Sequence, residues 1–274
     1  MNTRIRGVVA ACAVAGGLVT AGSAQAAPTW APASSATIHP GVQTVTDGGQ
    51  CTANFVFYDA SNVYIGQAAH CSGTDGNTAT DGCTSGSLPL GTPVEVDGAS
   101  KPGTLAYNSW ITMQQKGEKD ADTCAYNDLA LVKLDPADVG KVNPSIPFWG
   151  GPTGINTTGT QLGDKVLSYG NSSLRGGVTT LSPKEGTSLG DDGGGWSHNV
   201  LTVSPGIPGD SVSAFLDRAG KALGVLSTLQ VAPAAGSNGV GDVAKEIAYM
   251  KANGGPAADL ALGTEQFRGP LLPL

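Results

Sequence analysis

The chain has 274 residues, of which 40% are hydrophobic, 14% charged and 5% aromatic. This hydrophobic share can build a packed core, which excludes a wholly disordered protein. The net charge is -7 with only 15 lysines and arginines, and no basic cluster exceeds two residues. Phosphate neutralisation needs many clustered cations, so the composition argues against a nucleic-acid partner. The length fits one domain of two lobes or two small domains.

The first 26 residues are typical of a secretory signal peptide. Arg4 and Arg6 give a positive start, residues 8–19 form an apolar run, and a small-residue cleavage pattern ends at Ala26. A membrane anchor is the alternative, but the run is shorter than the ~20 apolar residues that span a bilayer, and it contains two glycines. No later segment spans a bilayer. We therefore expect a soluble, secreted protein with no membrane contact after signal removal.

Cysteine usage agrees with export. Cys12 lies in the predicted signal, which leaves an even number of cysteines, Cys51, Cys71, Cys83 and Cys124. An even number is typical of disulfide-bonded proteins in oxidising compartments. Four cysteines permit three pairings, among which these considerations do not choose. A zinc site is the competing use, but the spacings contain no close pair of the ligating kind.

Short apolar runs separated by turn residues dominate the chain. Many are rich in β-branched or aromatic residues and are bounded by Gly, Pro, Asn or Asp, as is typical of β-strands. Their spacing predicts an all-β barrel or sandwich. The predicted strands are 52–58, 63–68, 105–113, 129–134, 165–169, 200–203, 213–216 and 222–229.

A single helix is predicted, over residues 241–252. Val243, Ile247 and Met250 recur at helical spacing, and Asn253 followed by two glycines marks the end.

Glycine-rich stretches divide the rest of the chain. Residues 150–160 are the predicted linker between two β lobes, and the five glycines of 186–199 predict a surface loop. The predicted division is a signal peptide over 1–26, a flexible segment over 27–40, an N-terminal barrel over 41–150, a C-terminal barrel and helix over 151–254, and a tail over 255–274.

Of three histidines, His70 differs from His39 and His198 in its setting. It ends an apolar run and directly precedes Cys71. A base at a strand end beside a disulfide would be held still, as general-base catalysis requires. A packed histidine without a catalytic role is the alternative.

Two further residues have the chemistry to complete a nucleophilic site. Asp128 opens an apolar strand, where its carboxylate is suited to accept the imidazole N–H that fixes a base's tautomer. Ser211 follows Gly209 and Asp210 in a tight turn, where the N–H groups of residues 209 and 211 can converge on an oxyanion. An acidic turn residue and an ordinary loop serine are the respective alternatives.

Together these segments resemble the chymotrypsin-like serine peptidases. The matches are Ala-Ala-His-Cys at 68–71, Asn-Asp-Leu-Ala-Leu-Val at 127–132 and Gly-Asp-Ser at 209–211, in the family's order of His, Asp and Ser. Gly-Val-Leu-Ser at 224–227 resembles the strand that lines the family's substrate cleft. The resemblance spans residues 51–252 and implies an all-β fold of two six-stranded antiparallel barrels with a C-terminal helix.

The function implied by the resemblance is that of a secreted bacterial serine endopeptidase, a monomer that cuts polypeptides without a cofactor or a metal ion. Ser211 would attack, His70 would shuttle the proton and Asp128 would orient the imidazole. The N–H groups of Gly209 and Ser211 would hold the oxyanion.

The family's disulfide beside the catalytic histidine implies a bridge between Cys51 and Cys71. That bridge leaves Cys83 and Cys124 to pair, so the lobe with the base and the carboxylate would carry both disulfides.

Substrate specificity also follows from the resemblance. The base of the primary pocket would lie at Pro205, where no carboxylate is available for a substrate lysine or arginine. Ser227 would support the catalytic aspartate, and one wall would continue as Thr228 and Leu229, with Gly239 opposite. Leu229 would shorten the cavity, which predicts cleavage after small or medium apolar residues.

The sequence departs from the family at two places. Val212 follows the serine where the family has glycine, and no Ile-Val-Gly-Gly-like start precedes Cys51. Asp210 would therefore need an internal cation or hydrogen-bond donor, for which the candidates are Lys165, Arg175 and Arg218. Because of Val212, an inactive relative acting as a secreted binding module is the alternative function. A third hypothesis is an unrelated exported adhesin-like β protein.

Overall fold

The computed structural model describes residues 26–271 except 48, 77–79, 205 and 231–232. All of the predicted signal peptide but its last residue, with Cys12, and the predicted pocket residue Pro205 therefore lie outside the described residues. Within the part that is described, no helix is both long and apolar enough to cross a membrane.

Eight antiparallel strands, seven from the first half and one from the tail, form the first sheet. They are β1 (Gln43–Thr46), β2 (Gly49–Thr52), β3 (Val56–Tyr58), β4 (Val63–Ala68), β5 (Pro93–Val96), β6 (Gly103–Asn108), β7 (Leu129–Lys133) and β14 (Asp259–Leu260). Their order is β14-β3-β4-β7-β6-β5-β1-β2. Val56, Ile65, Leu105 and Val132 are fully buried in its core, as expected where apolar β-branched side chains face inward.

Among the described residues, backbone hydrogen bonds do not join the two end strands of this sheet. The closed six-stranded barrel predicted for the first half is therefore not observed. A covalent link brings one end inward instead. Cys51 at the end of β2 is bonded to Cys71, which follows β4. The end strand β2 is thereby fixed beside the strand that leads to His70.

The second half closes into a six-stranded antiparallel barrel, which confirms the prediction for this half. Its order is β10-β13-β12-β11-β8-β9. Phe215, Val240 and Leu223 are among the buried side chains that fill it. The strands are β8 (Lys165–Tyr169), β9 (Pro183–Asp192), β10 (Ser197–Thr202), β11 (Ala214–Asp217), β12 (Ala222–Leu229) and β13 (Asn238–Asp242).

The prediction of a single helix was wrong, because α1 (Ser109–Lys116) and α2 (Ala121–Tyr126) precede the predicted one, α3 (Val243–Ala252). The predicted strand over 105–113 therefore ends at residue 108. There the Asn108 side chain caps α1 by accepting from the N–H groups of Trp110 and Ile111. An asparagine N-cap satisfies N–H groups that the first helical turn leaves unpaired.

The prediction of a surface loop over 186–199 was also wrong. β9 runs to Asp192 and β10 starts at Ser197, so the two strands form a hairpin. Positive φ is confined within the turn to the three glycines 193–195, which adopt it without steric cost. The glycine-rich composition of this segment thus marks one tight turn rather than a long irregular loop.

The segment before β1 and the tail after α3 both contact the folded halves. Ile38 is fully buried and forms a parallel bridge with Val142. In the tail, β14 pairs with β3. The ring of Phe267 packs directly on Gly220, since a Cβ added to that glycine would lie only 2.5 Å from the ring. The predicted linker, 150–160, lies between the two sheets in the chain, and its Ile155 bridges to the second barrel at Ala222.

Candidate active site

His70 and Asp128 form a direct pair. The His70 Nδ1 lies 2.7 Å from Asp128 Oδ2, and the His70 backbone N–H donates to Oδ1 at 3.0 Å. An ionised carboxylate only accepts hydrogen bonds, so Nδ1 carries the proton and Nε2 is left as the free base. The Ser227 hydroxyl donates to the same Oδ2 at 2.6 Å, which is the contact that the motif resemblance implied.

The backbone around His70 is held from three directions. The Ala69 N–H donates to the Asp128 carbonyl at 2.8 Å, and the Ala69 carbonyl accepts from the Asn108 side chain at 3.1 Å. Cys71, the next residue, is covalently bonded to Cys51. The imidazole therefore sits on a short 3-10 turn that has little freedom to move, as a general base requires.

The environment changes the basicity of His70. Burial lowers the pKa of the imidazole, but the charge of Asp128 and the hydrogen bond to it raise the pKa by more, so that the net pKa lies above its ordinary value. Asp128 is 3% exposed, and the His70 side chain is 24% exposed. The shielded carboxylate thus stabilises the protonated imidazole, while the ring still reaches solvent.

The serine turn is built by its own sequence. Asp210 N–H donates to the Ile207 carbonyl at 2.8 Å, and Gly209 between them has a φ of 90°. Proline at the second position and glycine at the third is the signature of a type II turn. Pro208 and Gly209 therefore set the path of the chain into Ser211.

Val212 has a backbone conformation that β-branched residues rarely adopt. Its φ is 82°, and it occupies the third position of a second turn, closed by the Ser213 N–H on the Asp210 carbonyl at 3.0 Å. Glycine is the usual residue there. The side chain is fully buried in the core, and the Val212 N–H donates to Leu226. The surroundings thus impose on valine the conformation that glycine adopts freely, a strain of the kind found at functional sites.

The oxyanion site predicted from the resemblance consists of the N–H groups of Gly209 and Ser211. Within the described part of the chain, neither Gly209 nor Ser211 donates its N–H to a protein acceptor. The Ser211 hydroxyl likewise has no hydrogen bond to His70 or to another described residue. These groups are available to a ligand, and hydrogen bonds of catalytic groups are often long before substrate binds.

Asp210, beside the serine, is fully buried and carries two cations. Lys184 Nζ lies 2.6 Å from its Oδ2, and Arg175 Nη2 donates to the same oxygen. The Ser172 N–H donates to Oδ1 at 3.0 Å. Burial raises the pKa of Asp210, but the two cations lower it by more, so the carboxyl is held ionised.

Of the predicted cations for Asp210, Arg175 is confirmed. Lys165 lies 4.0 Å from Glu185 instead, and Arg218 is exposed on a turn. Lys184 was missed, although its side chain is 1% exposed. It stands at the second position of β9, and no pattern in the sequence distinguishes it from the other lysines.

The serine turn is hydrogen-bonded to β2 of the first sheet. The Ser211 carbonyl accepts from the Thr52 N–H at 2.9 Å, and the Gly209 carbonyl accepts from the Thr52 hydroxyl at 2.7 Å. Thr52 follows Cys51, whose disulfide leads to Cys71 beside the base. These contacts join the serine turn to β2, which the disulfide links to the residue that follows His70.

Sequence reasoning missed Asn238, which lies between two segments that were predicted to form the substrate pocket. Asn238 is 1% exposed; its Oδ1 accepts from the Gly206 N–H at 2.9 Å and its Nδ2 donates to the Thr228 carbonyl at 3.2 Å. The amide thus spans the space between the segment before the serine and β12. Leu229, predicted to shorten this cavity, is 59% exposed. A Cβ on Gly239 would lie 2.5 Å from the Thr228 hydroxyl, so glycine is needed there.

The other histidines have different surroundings. His198 is fully buried, with Nδ1 2.6 Å from Asp191 and Nε2 3.0 Å from Asp242. Both ring nitrogens are occupied, so His198 has no free nitrogen to act as a base. His39 Nδ1 lies 2.8 Å from the carbonyl of its neighbour Pro40.

The two disulfides of the structure join Cys51 to Cys71 and Cys83 to Cys124. These are the pairs that the resemblance implied. Both lie in the half that carries His70 and Asp128.

Comparison with known proteins supports the fold. No protein-family model matches the chain. The structure is similar to Thermobifida fusca protease A, with a TM-score of 0.52 and 17% identity over 82% of this chain and 99% of that one. This likeness confirms the chymotrypsin-like fold that the motifs predicted. Cellulomonas bogoriensis chymotrypsin matches with a TM-score of 0.47 and 17% identity, over 82% of this chain and 98% of that chain.

One type of curated relative matches by sequence. A glucan 1,3-beta-glucosidase of Candida albicans is 35% identical over 94 residues, which are 31% of this chain. The chain spans 30% of the length of that relative.

Proposed function

We propose that this chain is a secreted serine endopeptidase whose nucleophile is Ser211, whose base is His70 and whose orienting carboxylate is Asp128. The observation that carries the proposal is the Asp128 carboxylate, which accepts from His70 Nδ1, the His70 N–H and the Ser227 hydroxyl at once. This geometry fixes the imidazole tautomer that a serine nucleophile requires. The contact between Thr52 and the Ser211 carbonyl supports the choice of Ser211 as the nucleophile, because it joins the serine turn to the half that carries His70 and Asp128.

The reaction proceeds through an acyl-enzyme. Ser211 Oγ attacks the carbonyl carbon of the substrate while His70 Nε2 takes the hydroxyl proton. The unused N–H groups of Gly209 and Ser211 stabilise the developing oxyanion. His70 then donates its proton to the leaving amine, and the same steps with water release the acid product.

A serine-directed phosphonofluoridate tests the assembled site. It reacts with a serine hydroxyl only where a base and an oxyanion site support the attack. We expect stoichiometric labelling of the peptide that contains Ser211, identified by mass analysis after digestion. The matched control is Ser34, an exposed serine, which should remain unlabelled. Absence of label on Ser211 in folded protein would favour the inactive binding module over the peptidase.

The proposed specificity is cleavage after small or medium apolar residues. Asn238 supports this, because its amide is hydrogen-bonded to Gly206 and to Thr228, on the two segments that would form the pocket, and we infer that it limits the depth that a side chain can reach. The exposed Leu229 takes no part in this limit.

Shortening Asn238 should widen the pocket. In Asn238→Ser, we expect kcat/KM for a peptide with Leu or Phe before the cut to rise about tenfold relative to one with Ala, since one methylene in a pocket is worth roughly 1–3 kcal/mol. The control is Asn143→Ser, which shortens an equally buried asparagine bonded to Ala31 and Thr264 in the other half. An unchanged profile in Asn238→Ser, measured with a peptide library, would contradict this assignment.

A further inference from the structure

The first turn of α3 places a buried carboxyl group against the backbone of Asp128. Glu246 is fully buried, and its Oε1 accepts from the Asp128 N–H at 3.0 Å. Its Oε2 is buried and has no hydrogen-bond partner among the described residues. This contact joins residues 118 positions apart in the chain.

The Asp128 N–H needs such an acceptor. Asp128 lies just before β7, whose ladder to β4 begins at the pair Leu129 and Ala68. A buried N–H outside a ladder costs free energy unless another group accepts from it. Glu246 supplies the acceptor, and it thereby fixes the point at which the Asp128 side chain leaves the backbone.

The position of Glu246 is itself constrained. The Asp242 side chain caps α3 by accepting from the Lys245 N–H at 2.7 Å, and its other oxygen is held by His198. A Cβ on Gly241 would lie 2.8 Å from Glu246 Oε1, so glycine at 241 leaves room for the carboxyl. The start of the helix is thus anchored in the second barrel, while Glu246 reaches the segment that carries Asp128.

The charge state suits this contact. Burial raises the pKa of Glu246 well above its ordinary value, the hydrogen bond from Asp128 lowers it in part, and the charges of Asp128 and Asp242 raise it further. Tyr107, on β6, also faces Glu246, whose charge adds to the effect of burial in raising the tyrosine pKa. A neutral carboxyl accepts the N–H through its carbonyl oxygen without placing a second negative charge beside Asp128.

We propose that Glu246 is a positioning residue for the active site, which holds Asp128 through its backbone N–H and so couples the C-terminal helix to the His70–Asp128 pair. The inference rests on the proposed peptidase function. It assigns Glu246 no contact with substrate.

Two variants test separately the length of the Glu246 side chain and the charge of its carboxyl group. Glu246→Gln keeps a neutral acceptor at the same distance, whereas Glu246→Asp withdraws the carboxyl by one methylene. We expect Glu246→Gln to retain kcat and KM within about threefold. We expect Glu246→Asp to lower kcat about tenfold with KM unchanged, because a misplaced orienting group weakens only steps after binding. Ile247→Val removes one methylene from the same helix turn and should leave both constants unchanged.

A spectroscopic measurement decides the inference without turnover. The His70 Nδ1 proton, bonded to Asp128, should give a low-field NMR resonance that shifts in Glu246→Asp and is unchanged in Glu246→Gln and Ile247→Val. A wild-type resonance and kcat in Glu246→Asp would overturn the proposal, and so would equal losses in Glu246→Asp and either other variant. If the wild type hydrolyses no peptide, the proposed function fails, while the resonance of the folded variants still tests Glu246.

Discussion

Replacing Ser211 with alanine should lower kcat for peptide hydrolysis by about 10⁶-fold and leave the fold intact. Removal of the nucleophile from a Ser-His-Asp site abolishes the acyl-enzyme route, and what remains comes from substrate binding and the oxyanion site. Ser211 is only partly buried and its hydroxyl has no hydrogen-bond partner among the described residues, so the loss touches little of the core. Active-site titration and peptide hydrolysis on purified protein measure the effect.

Ser34→Ala is the control for Ser211→Ala, because it removes an exposed hydroxyl in the N-terminal segment. Circular dichroism should show the same fold for both variants. Undiminished turnover by Ser211→Ala would contradict the assignment of the nucleophile, whatever the behaviour of His70.

Replacing Asp210 with asparagine should lower the free energy of unfolding by about 3–5 kcal/mol. The substitution leaves the buried Lys184 and Arg175 without the carboxylate that both contact. Removing one partner of a buried ion pair costs roughly this much, since the remaining charge stays desolvated. Urea unfolding at neutral pH, in the Ser211→Ala background to prevent self-digestion, measures the difference.

Asp259→Asn is the matched control for Asp210→Asn. It breaks the pair with Lys251, in which both side chains are more than a third exposed, and such a pair is worth about 0–1 kcal/mol. The two cations hold the pKa of Asp210 below its ordinary value, so its stabilisation is present at neutral pH and is lost as the pH falls through the lowered pKa. The difference in the free energy of unfolding between Asp210→Asn and its parent should therefore become smaller at acidic pH. Equal stabilities at neutral pH would exclude a structural role for this ion cluster.

Local sequence signals predicted much of the fold and of the candidate site. The apolar runs and turn residues that predict β4 and β7 act over a few residues, and the structure has both strands where they were expected. The His70 and Asp128 motifs lie at the ends of those strands, so strand pairing brings them together.

The signals that failed involve contacts between distant segments or single capping residues. Where the sequence predicted a continuing strand, the Asn108 side chain accepts two N-cap hydrogen bonds and a helix begins. A run of apolar residues does not reveal this cap. Lys184 and Glu246 resemble solvated side chains in sequence, and each is buried only because a partner lies far away in the chain. Burial of charge is decided by tertiary packing, so sequence periodicity does not predict it.

The internal cations on Asp210 have a consequence for the onset of activity in the proposed peptidase. Lys184 lies on β9 and Arg175 lies in the segment before it. The negative charge of Asp210 is therefore paired with two cations as soon as the barrel of the second half has formed. No cut elsewhere in the chain has to release a new amino group for that purpose. In the proposed exported peptidase, the onset of activity is therefore tied to folding outside the membrane, where the proteins of the producing cell are out of reach.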